Sequence, residues 1–407
     1  MPKRHCALLP TEPAGTAESR CHLRELLENL KEEPELVRMV LASAAPWWTQ
    51  VCKWLRTILC DVRPPLVNTI CLKRGVTLTE KRRGIGRLAK YFSITGIRLN
   101  DLGFHAGEAK QLCAQIWACE TLTSLNLDMC NIPNSMAHIV FRDLPSARKL
   151  KRLTLLCSLK TPEGLDRLLG ASLGALSSLQ KLNVRIVPQE GSRMPALKNV
   201  LRRIGACHNM EALTLSSMQI KDDDLLELMQ AWVHMRLSRL NLTGNCLSKV
   251  SIQHLVNSHS KFSELYLSGN PLGSLGPEYL KPTFPSLRIL SLNSTNIGAQ
   301  GLSVLAQDAH RLLNLEHLKI SNNRINREGG PAIVQLLTEC NALKRVNLSS
   351  NSLGSAVDVQ MHSAIACTKL CFINLRHNNL SSQQVDDFID FACNLLRVQT
   401  GEMEYWI

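Results

Sequence analysis

Aromatic side chains are scarce in this chain: they make up 4% of its 407 residues, whereas hydrophobic residues as a whole make up 45%. Much of the apolar content is leucine, which argues against an all-β sandwich. No run of about 18 apolar residues occurs, so we expect no transmembrane helix and no membrane contact. The first twenty residues lack the apolar core of a signal peptide. These absences predict an intracellular protein.

The motifs of common catalytic centres are also missing. The sequence contains no Gly-x-Ser-x-Gly, no His-Glu-x-x-His, no Walker loop and no Cys-x-x-Cys pair. The one arrangement that suggests zinc, His5-Cys6 with Cys21-His22, falls at a terminus that we expect to be flexible. We therefore predict that the protein is not an enzyme and uses no metal or cofactor.

What the sequence has instead is a repeat. The pattern Leu-x-x-Leu-x-Leu-x-x-Asn-x-Leu, with some substitution at each place, recurs at intervals of 25 to 31 residues. Clear copies are Leu237–Leu247 (LSRLNLTGNCL), Phe262–Leu272 (FSELYLSGNPL) and Leu315–Ile325 (LEHLKISNNRI). Eleven copies begin at Ile94, Leu122, Leu150, Leu179, Met210, Leu237, Phe262, Leu287, Leu315, Leu343 and Leu370. We number the residues of each copy from one to eleven.

Each part of the repeat has a physical role. Apolar residues at positions four and six alternate with polar ones, which predicts a short strand with one buried face. An asparagine at position nine can bond the backbone of the turning chain and form a ladder between copies. The residues at this position include Asn245, Asn270, Asn323, Asn351 and Asn378, with Cys130 and Thr295 in the same place. Ile333, Leu336, Leu337 and Cys340 then follow at helical spacing.

The chain has 15 cysteines, an odd number, and the repeat explains four of them better than disulfides do. Cys119, Cys207, Cys340 and Cys367 each lie three residues before the first residue of a copy. A small apolar side chain suits a packed junction between helix and strand. We predict that these four thiols are reduced and buried.

The copies resemble the leucine-rich repeats of the ribonuclease-inhibitor class, whose units of about 28 residues each include a full helix. The resemblance covers residues 94 to 380. It implies an α/β solenoid, or horseshoe, with a parallel sheet on the concave face and helices outside. It implies no particular ligand.

Segments on both sides of the repeats are expected to cap the solenoid. The predicted division is a flexible arm at 1–20, a helical N-terminal cap with a basic linker at 21–93, repeats at 94–380 and a C-terminal cap at 381–407. In the N-terminal cap, Trp47, Val51 and Trp54 lie at helical spacing, either packed or forming a docking face. The last residues, 401–407, either fold over the final repeat or act as a docking peptide.

A basic stretch precedes the first copy. Its bases are Lys73, Arg74, Lys81, Arg82, Arg83, Arg87 and Lys90, against the single acid Glu80. Three interpretations stand side by side: a nuclear-import signal, a nucleic-acid patch, and a solvated linker. The predicted location is cytoplasmic, and also nuclear if the stretch is an import signal.

Positions three, five and seven face the hollow of the horseshoe. Their bases are Arg98, Arg152, Lys181, Arg185, Arg239, Lys319, Arg345 and Arg376, and their larger contact residues are Tyr266, His317 and Phe372. Their only acids are Asp128 and Glu264. This imbalance predicts an acidic protein partner held partly by arginine–carboxylate pairs. A phosphate ligand, either RNA or phospholipid, is the alternative, although aromatics for base stacking are sparse. A generally basic surface without a ligand is the third interpretation.

Two functions follow from this layout. The first is a scaffold that binds an acidic protein through the concave face. The second is a substrate-recognition subunit of a cullin-RING ubiquitin ligase, with the N-terminal helices docking onto ligase subunits. This second layout is similar to the preferentially-expressed-antigen-in-melanoma family, whose members serve as such receptors. A clean elongin-binding box and a clean F-box are absent, so docking would need a different helix.

Overall fold

The repeats build one continuous sheet. The computed structural model describes residues 69–72, 95–99, 114, 116–117, 119, 121–129, 142, 144, 147–157, 172–173, 175–186, 204–205, 207–232, 234–257, 261–398 and 404–406. Within these residues, thirteen strands form a single parallel sheet in which each strand pairs with the next one along the chain. The predicted α/β solenoid is confirmed.

The strands are short and evenly spaced along the chain. They are β1 (Thr69–Leu72), β2 (Gly96–Leu99), β3 (Ser124–Met129), β4 (Arg152–Cys157), β5 (Lys181–Ile186), β6 (Ala212–Leu215), β7 (Arg239–Asn241), β8 (Glu264–Tyr266), β9 (Ile289–Ser291), β10 (His317–Lys319), β11 (Arg345–Asn347), β12 (Phe372–Asn374) and β13 (Glu404–Trp406). Strands β2 to β12 lie in the eleven predicted copies, one strand in each.

Helices connect the strands in the C-terminal half of the sheet. They are α1 (Asp222–Ala231), α2 (Lys249–Asn257), α3 (Gly276–Leu280), α4 (Gly298–Gln307), α5 (Gly330–Glu339), α6 (Val359–Ala366) and α7 (Ser382–Val398). Short 3-10 turns, such as Lys281–Ser286 and Ala309–Arg311, complete several connections. In the described part of the chain, no helix has the length and apolarity that crossing a membrane requires.

The strands pair in register, so equivalent positions of the repeat lie side by side. Leu240, Leu265, Leu290, Leu318 and Val346, all at position four, form one such row across β7 to β11. Neighbouring strands lie about 4.8 Å apart, whereas packed helices need about 8–10 Å. A solenoid with strands on one side and helices on the other must therefore curve with its sheet on the inside.

The core lies between the sheet and the helices. Residues at positions four, six and eleven are buried almost without exception, and they join one cluster that runs from Ile97 to Ala392. The predicted helical face is confirmed in α5, where Ile333, Leu336 and Leu337 are all buried. Full burial of one such aliphatic side chain contributes about 1.5–3 kcal/mol.

The asparagines at position nine form the predicted ladder. Asn351 Nδ2 donates to the carbonyls of Ile320 and Leu348, both at 2.9 Å, and its Oδ1 accepts the Asn323 backbone N–H at 2.8 Å. Asn378 repeats the arrangement, since its Oδ1 accepts the Asn351 N–H at 2.9 Å. These side chains are fully buried, and they satisfy backbone groups that the turning chain leaves without a backbone partner.

Thr295 weakens this ladder at one point. Its hydroxyl donates to Leu292 O at 2.6 Å, within its own copy, and it also contacts Asn323 Oδ1 at 3.0 Å in the following copy. In the neighbouring copy, Asn270 Nδ2 also reaches back to Leu242 O at 2.9 Å. Among the described residues, the shorter Thr295 side chain makes no such bond to the preceding copy.

Both ends of the sheet carry a strand that the sequence analysis did not predict. β1 lies in the segment assigned to a helical cap and basic linker, and it pairs with β2 with Ile70 opposite Ile97. Ile70 and Leu72 stand at the register of positions four and six, so the apolar alternation of the repeat continues in the sequence of β1. At the other end β13, in the expected cap, pairs in parallel with β12.

Helix α7 begins with a serine cap. The Gln384 N–H donates to Ser381 Oγ at 3.3 Å, and the Ser381 N–H donates to Gln384 Oε1 at 3.0 Å. This reciprocal pair satisfies two backbone donors at the start of the helix. The predicted flexible arm and the tryptophan-containing helices at 21–59 lie outside the described residues.

The cysteine prediction is right for three of the four thiols. Cys119, Cys207 and Cys340 are buried, and burial raises the pKa of Cys207 to about 11 and that of Cys340 to about 12. Cys367 is exposed, contrary to the prediction. At this junction the Leu370 N–H donates to Thr368 Oγ1, whereas in the preceding copy the equivalent Leu343 N–H donates to the Cys340 carbonyl.

Candidate protein-binding face

The open face of the sheet carries the residues predicted to bind a partner. Positions three, five and seven point away from the core, because positions four and six fill it. The exposed members are Arg152, Lys181, Arg185, Arg239, Lys319, Arg345 and Arg376, and the half-buried ones are Tyr266, His317 and Phe372. Arg98 lies at position five of β2, and its side chain is outside the described part of the chain, as is that of Asp128.

Five of these residues form a cluster on β10, β11, β12 and the turn after β12, which we call the C-terminal patch: His317, Lys319, Arg345, Phe372 and Arg376. In-register pairing places His317 beside Arg345, and Arg345 beside Phe372. The guanidinium carbon of Arg345 lies 4.8 Å from the centre of the Phe372 ring, a cation–π contact that orients the guanidinium. The patch therefore presents a positioned arginine with further bases around it.

His317 adds a neutral donor to the C-terminal patch at neutral pH. Its pKa is lowered, first because partial burial disfavours the charged ring and second because Arg345 lies nearby. Lys319 acts in the same direction, while Glu316 opposes it. An anion bound here would reverse this balance, since an added negative charge favours the protonated imidazole.

A second cluster occupies β4 and β5, and we call it the N-terminal patch: Arg152, Lys181 and Arg185. Arg152 and Lys181 are register partners at position three, and both are exposed. Arg185 lies at position seven of the same strand as Lys181 and is exposed as well. Three bases on two adjacent strands make a compact positive surface.

The middle of the face is electrically balanced. Arg239 Nη2 lies 2.5 Å from Glu264 Oε1, and Tyr266 Oη donates to Glu264 Oε2 at 2.9 Å. Burial opposes ionisation of Glu264, but the bonds from Arg239 and Tyr266 prevail and lower the pKa of its carboxyl. Burial and the same carboxylate raise the pKa of Tyr266 to about 12. Arg239, predicted as a partner-binding base, is instead engaged by an acid of the neighbouring strand.

A row of ion pairs that the sequence did not predict lies at the edge of the sheet. Glu316 Oε1 lies 3.2 Å from Arg288 Nη2, and its Oε2 lies 3.4 Å from Lys344 Nζ. All three residues occupy position two of consecutive copies, outside the positions that were predicted to bind a partner. Opposite charges at equivalent positions of adjacent copies are the signal that would have found this row, and the Arg239–Glu264 pair too.

No site for a metal is evident in the described ranges. They contain no group of three or more histidine, cysteine, aspartate or glutamate residues arranged to hold a metal ion. The histidine–cysteine arrangement near the N-terminus lies outside those ranges, and so do all seven bases between Lys73 and Lys90. The interpretations of those segments stay predictions.

Comparison with known proteins supports the repeat assignment. A family model described as Leucine Rich repeat matches residues 285–306 and 312–334. Each match spans one strand of the sheet together with part of the helix that follows it, β9 with α4 and β10 with α5. A search of curated proteins finds no match. The matched copies and the register of the long parallel sheet show that this chain is a leucine-rich repeat protein.

Proposed function

We propose that this protein is a binding scaffold for an acidic protein partner, which it holds on the concave face of its sheet. Leucine-rich repeat domains generally serve as protein-interaction scaffolds. One observation carries the proposal: two groups of bases lie on the open face, while the acids of the described part of that face are few. Arginine can pair with a carboxylate through two parallel hydrogen bonds, and a concave surface concentrates the field of its charges.

Charge reversal on the C-terminal patch tests this proposal. The tagged protein is recovered from cells beside the Lys319→Glu/Arg345→Glu variant, and bound proteins are identified by mass spectrometry. Both side chains are exposed, so the variant should keep its fold, which circular dichroism and thermal melting check. We expect the dominant partner to be lost, because each reversed charge now repels its carboxylates.

A matched variant controls for the change in net charge. Arg236 and Lys369 are exposed bases that directly precede the first residue of a copy, away from the open face. Arg236→Glu/Lys369→Glu changes the net charge by the same amount and should retain the partner. Equal loss from both variants, or retention by both, would contradict binding at the concave face.

The role of ubiquitin-ligase receptor is the second proposal. It rests on the sequence layout, in which a segment predicted to be helical, with Trp47, Trp48 and Trp54, precedes the repeats. The same recovery experiment separates the two functions. Ligase subunits retained by both variants, with other partners lost only from Lys319→Glu/Arg345→Glu, would establish a receptor. Absence of ligase subunits from every sample would refute that role and leave a plain scaffold.

A further inference from the structure

The basic surface of the open face is divided, and the division has a definite length. The N-terminal patch ends on β5 and the C-terminal patch begins on β10, which leaves β6, β7, β8 and β9 between them. Five strand intervals of about 4.8 Å separate Lys181 from His317 and Lys319, a distance of roughly 24 Å. A ligand that engages both patches must carry its negative charges about this far apart.

The strip between the patches is unsuited to negative charge. At positions three, five and seven of these four strands, the only charged residues are Arg239 and Glu264, and they neutralise each other at 2.5 Å. The Glu264 carboxylate stays ionised because its pKa is lowered. Tyr266 and Ile289 instead offer half-buried aromatic and aliphatic surface. A ligand with carboxylates along its whole length would therefore bring charge onto a surface that offers no net attraction.

We propose that the concave face recognises an extended protein segment with two acidic clusters separated by about seven uncharged residues. The inference rests on the proposed function and specifies its partner. An extended chain advances about 3.3 Å per residue, so about seven residues span the neutral strip. A continuous polyanion such as RNA fits less well, because its phosphates would pass over Glu264 without a base to meet them.

Bivalent attachment has a measurable signature. When two clusters of one peptide reach two patches together, the second contact forms at a high effective concentration, and the combined affinity exceeds that of either contact. The gain disappears if the spacing prevents simultaneous contact. Two peptides of equal charge and different spacing therefore discriminate a divided site from a generally basic surface.

The probes are fluorescein-labelled synthetic peptides whose binding to the full-length protein is followed by fluorescence anisotropy. The spaced peptide has three glutamates at each end of about seven Gln, Ser and Thr residues, and the compact peptide places its six glutamates together at one end of a chain of the same length. We expect the spaced peptide to bind at least about tenfold more tightly than the compact one. Equal affinities, or tighter binding of the compact peptide, would overturn the inference.

Patch variants provide the second readout. Arg152→Glu/Lys181→Glu and Lys319→Glu/Arg345→Glu should each remove the advantage of the spaced peptide, because either change leaves only one patch. The compact peptide should lose affinity by much less in each case, since the other patch still accepts it. Arg236→Glu/Lys369→Glu is the control for net charge and should preserve the advantage. Glutamine at the same four patch residues removes their charge without reversing it, and it should remove the advantage of the spaced peptide too. If the glutamine variants keep that advantage, the two patches do not act together.

A labelled oligouridine of similar length completes the set. Tighter binding of this RNA than of the spaced peptide, with a steep fall in added salt, would overturn the inference in favour of a polyanion site. Failure of every peptide to bind would overturn it as well. The proposed function is judged separately: a cellular partner lost from the Lys319→Glu/Arg345→Glu variant would uphold the concave face even where the spacing has no effect.

Discussion

The asparagine ladder provides the sharpest test of the physical account of this fold. Replacing Asn351 with alanine removes one acceptor and two donors from a fully buried site. The Asn323 N–H and the Ile320 carbonyl each lose a partner, whereas the Leu348 carbonyl still receives Asn378 Nδ2 at 3.0 Å. The substitution therefore deprives two buried backbone groups of a hydrogen bond.

The magnitude follows from that count. A buried polar group left without its hydrogen bond costs about 1–3 kcal/mol, so two such groups predict a loss of about 2–6 kcal/mol in the free energy of unfolding. That is a large share of the total stability of about 5–15 kcal/mol that is usual for a folded domain. The cavity left by the carboxamide adds to the loss rather than offsetting it.

Two measurements check the prediction for Asn351→Ala. Urea unfolding followed by circular dichroism should show a lower midpoint, and hydrogen exchange should show faster exchange of the Asn323 amide. Asn341→Ala is the control, because Asn341 is an exposed asparagine in the turn after α5. If the two variants unfold alike and the Asn323 amide keeps its protection, the ladder does not carry the stability assigned to it here.

Three further predictions concern the core, the weak point of the ladder and the buried thiols. Leu318→Asp should lower the free energy of unfolding by about 4 kcal/mol or more, because it places an unpaired charge beneath the sheet. Lys319→Asp, on the open face, should have little effect. Thermal melting compares the two variants, and normal melting of Leu318→Asp would mean that the strand phase is misassigned. Thr295→Asn should raise the free energy of unfolding by about 1 kcal/mol, because the new amide can donate a hydrogen bond to the backbone of the preceding copy. Urea unfolding measures the change, and a lower midpoint would show that the site has no room for the carboxamide. Iodoacetamide labelling read by mass spectrometry should modify the exposed Cys246 rapidly and Cys340 slowly, since burial raises the pKa of Cys340 to about 12; equal rates would contradict the assigned burial.

Much of the fold could be predicted because each repeat states the same local pattern. Alternating leucines require a strand with one buried face, and a strand forms in each of the eleven copies. A buried asparagine requires backbone partners at a turn, and it finds them in the five described copies that carry one at position nine. The two end strands were missed because they lie outside the copies that carry this pattern. Four residues at Thr69–Leu72 and three at Glu404–Trp406 are too short for a pattern to be recognised, and each becomes a strand by pairing with a neighbour already in place.

The candidate site was predictable in position but not in chemistry. The position of each residue within its copy was enough to place Lys319, Arg345 and Phe372 on the open face, and the structure has them there. Opposite charges at position three of adjacent copies make a contact between Arg239 and Glu264 possible, but whether the two side chains meet depends on which way each turns across adjacent strands. The result is a basic face that is divided in two rather than continuous.

The sequence by itself determined the architecture of this protein: period, strand phase, buried asparagines and the direction in which the bases point are all properties of residue spacing. Tertiary structure alone decided how the charges combine, since pairing between copies depends on distances of a few ångströms between residues about 25 positions apart. It also decided that Cys367 faces solvent while Cys340 at the equivalent position is buried. Local spacing specifies a repeating backbone, but the energy of a charge or a thiol depends on its neighbours, and only the folded chain brings those neighbours together.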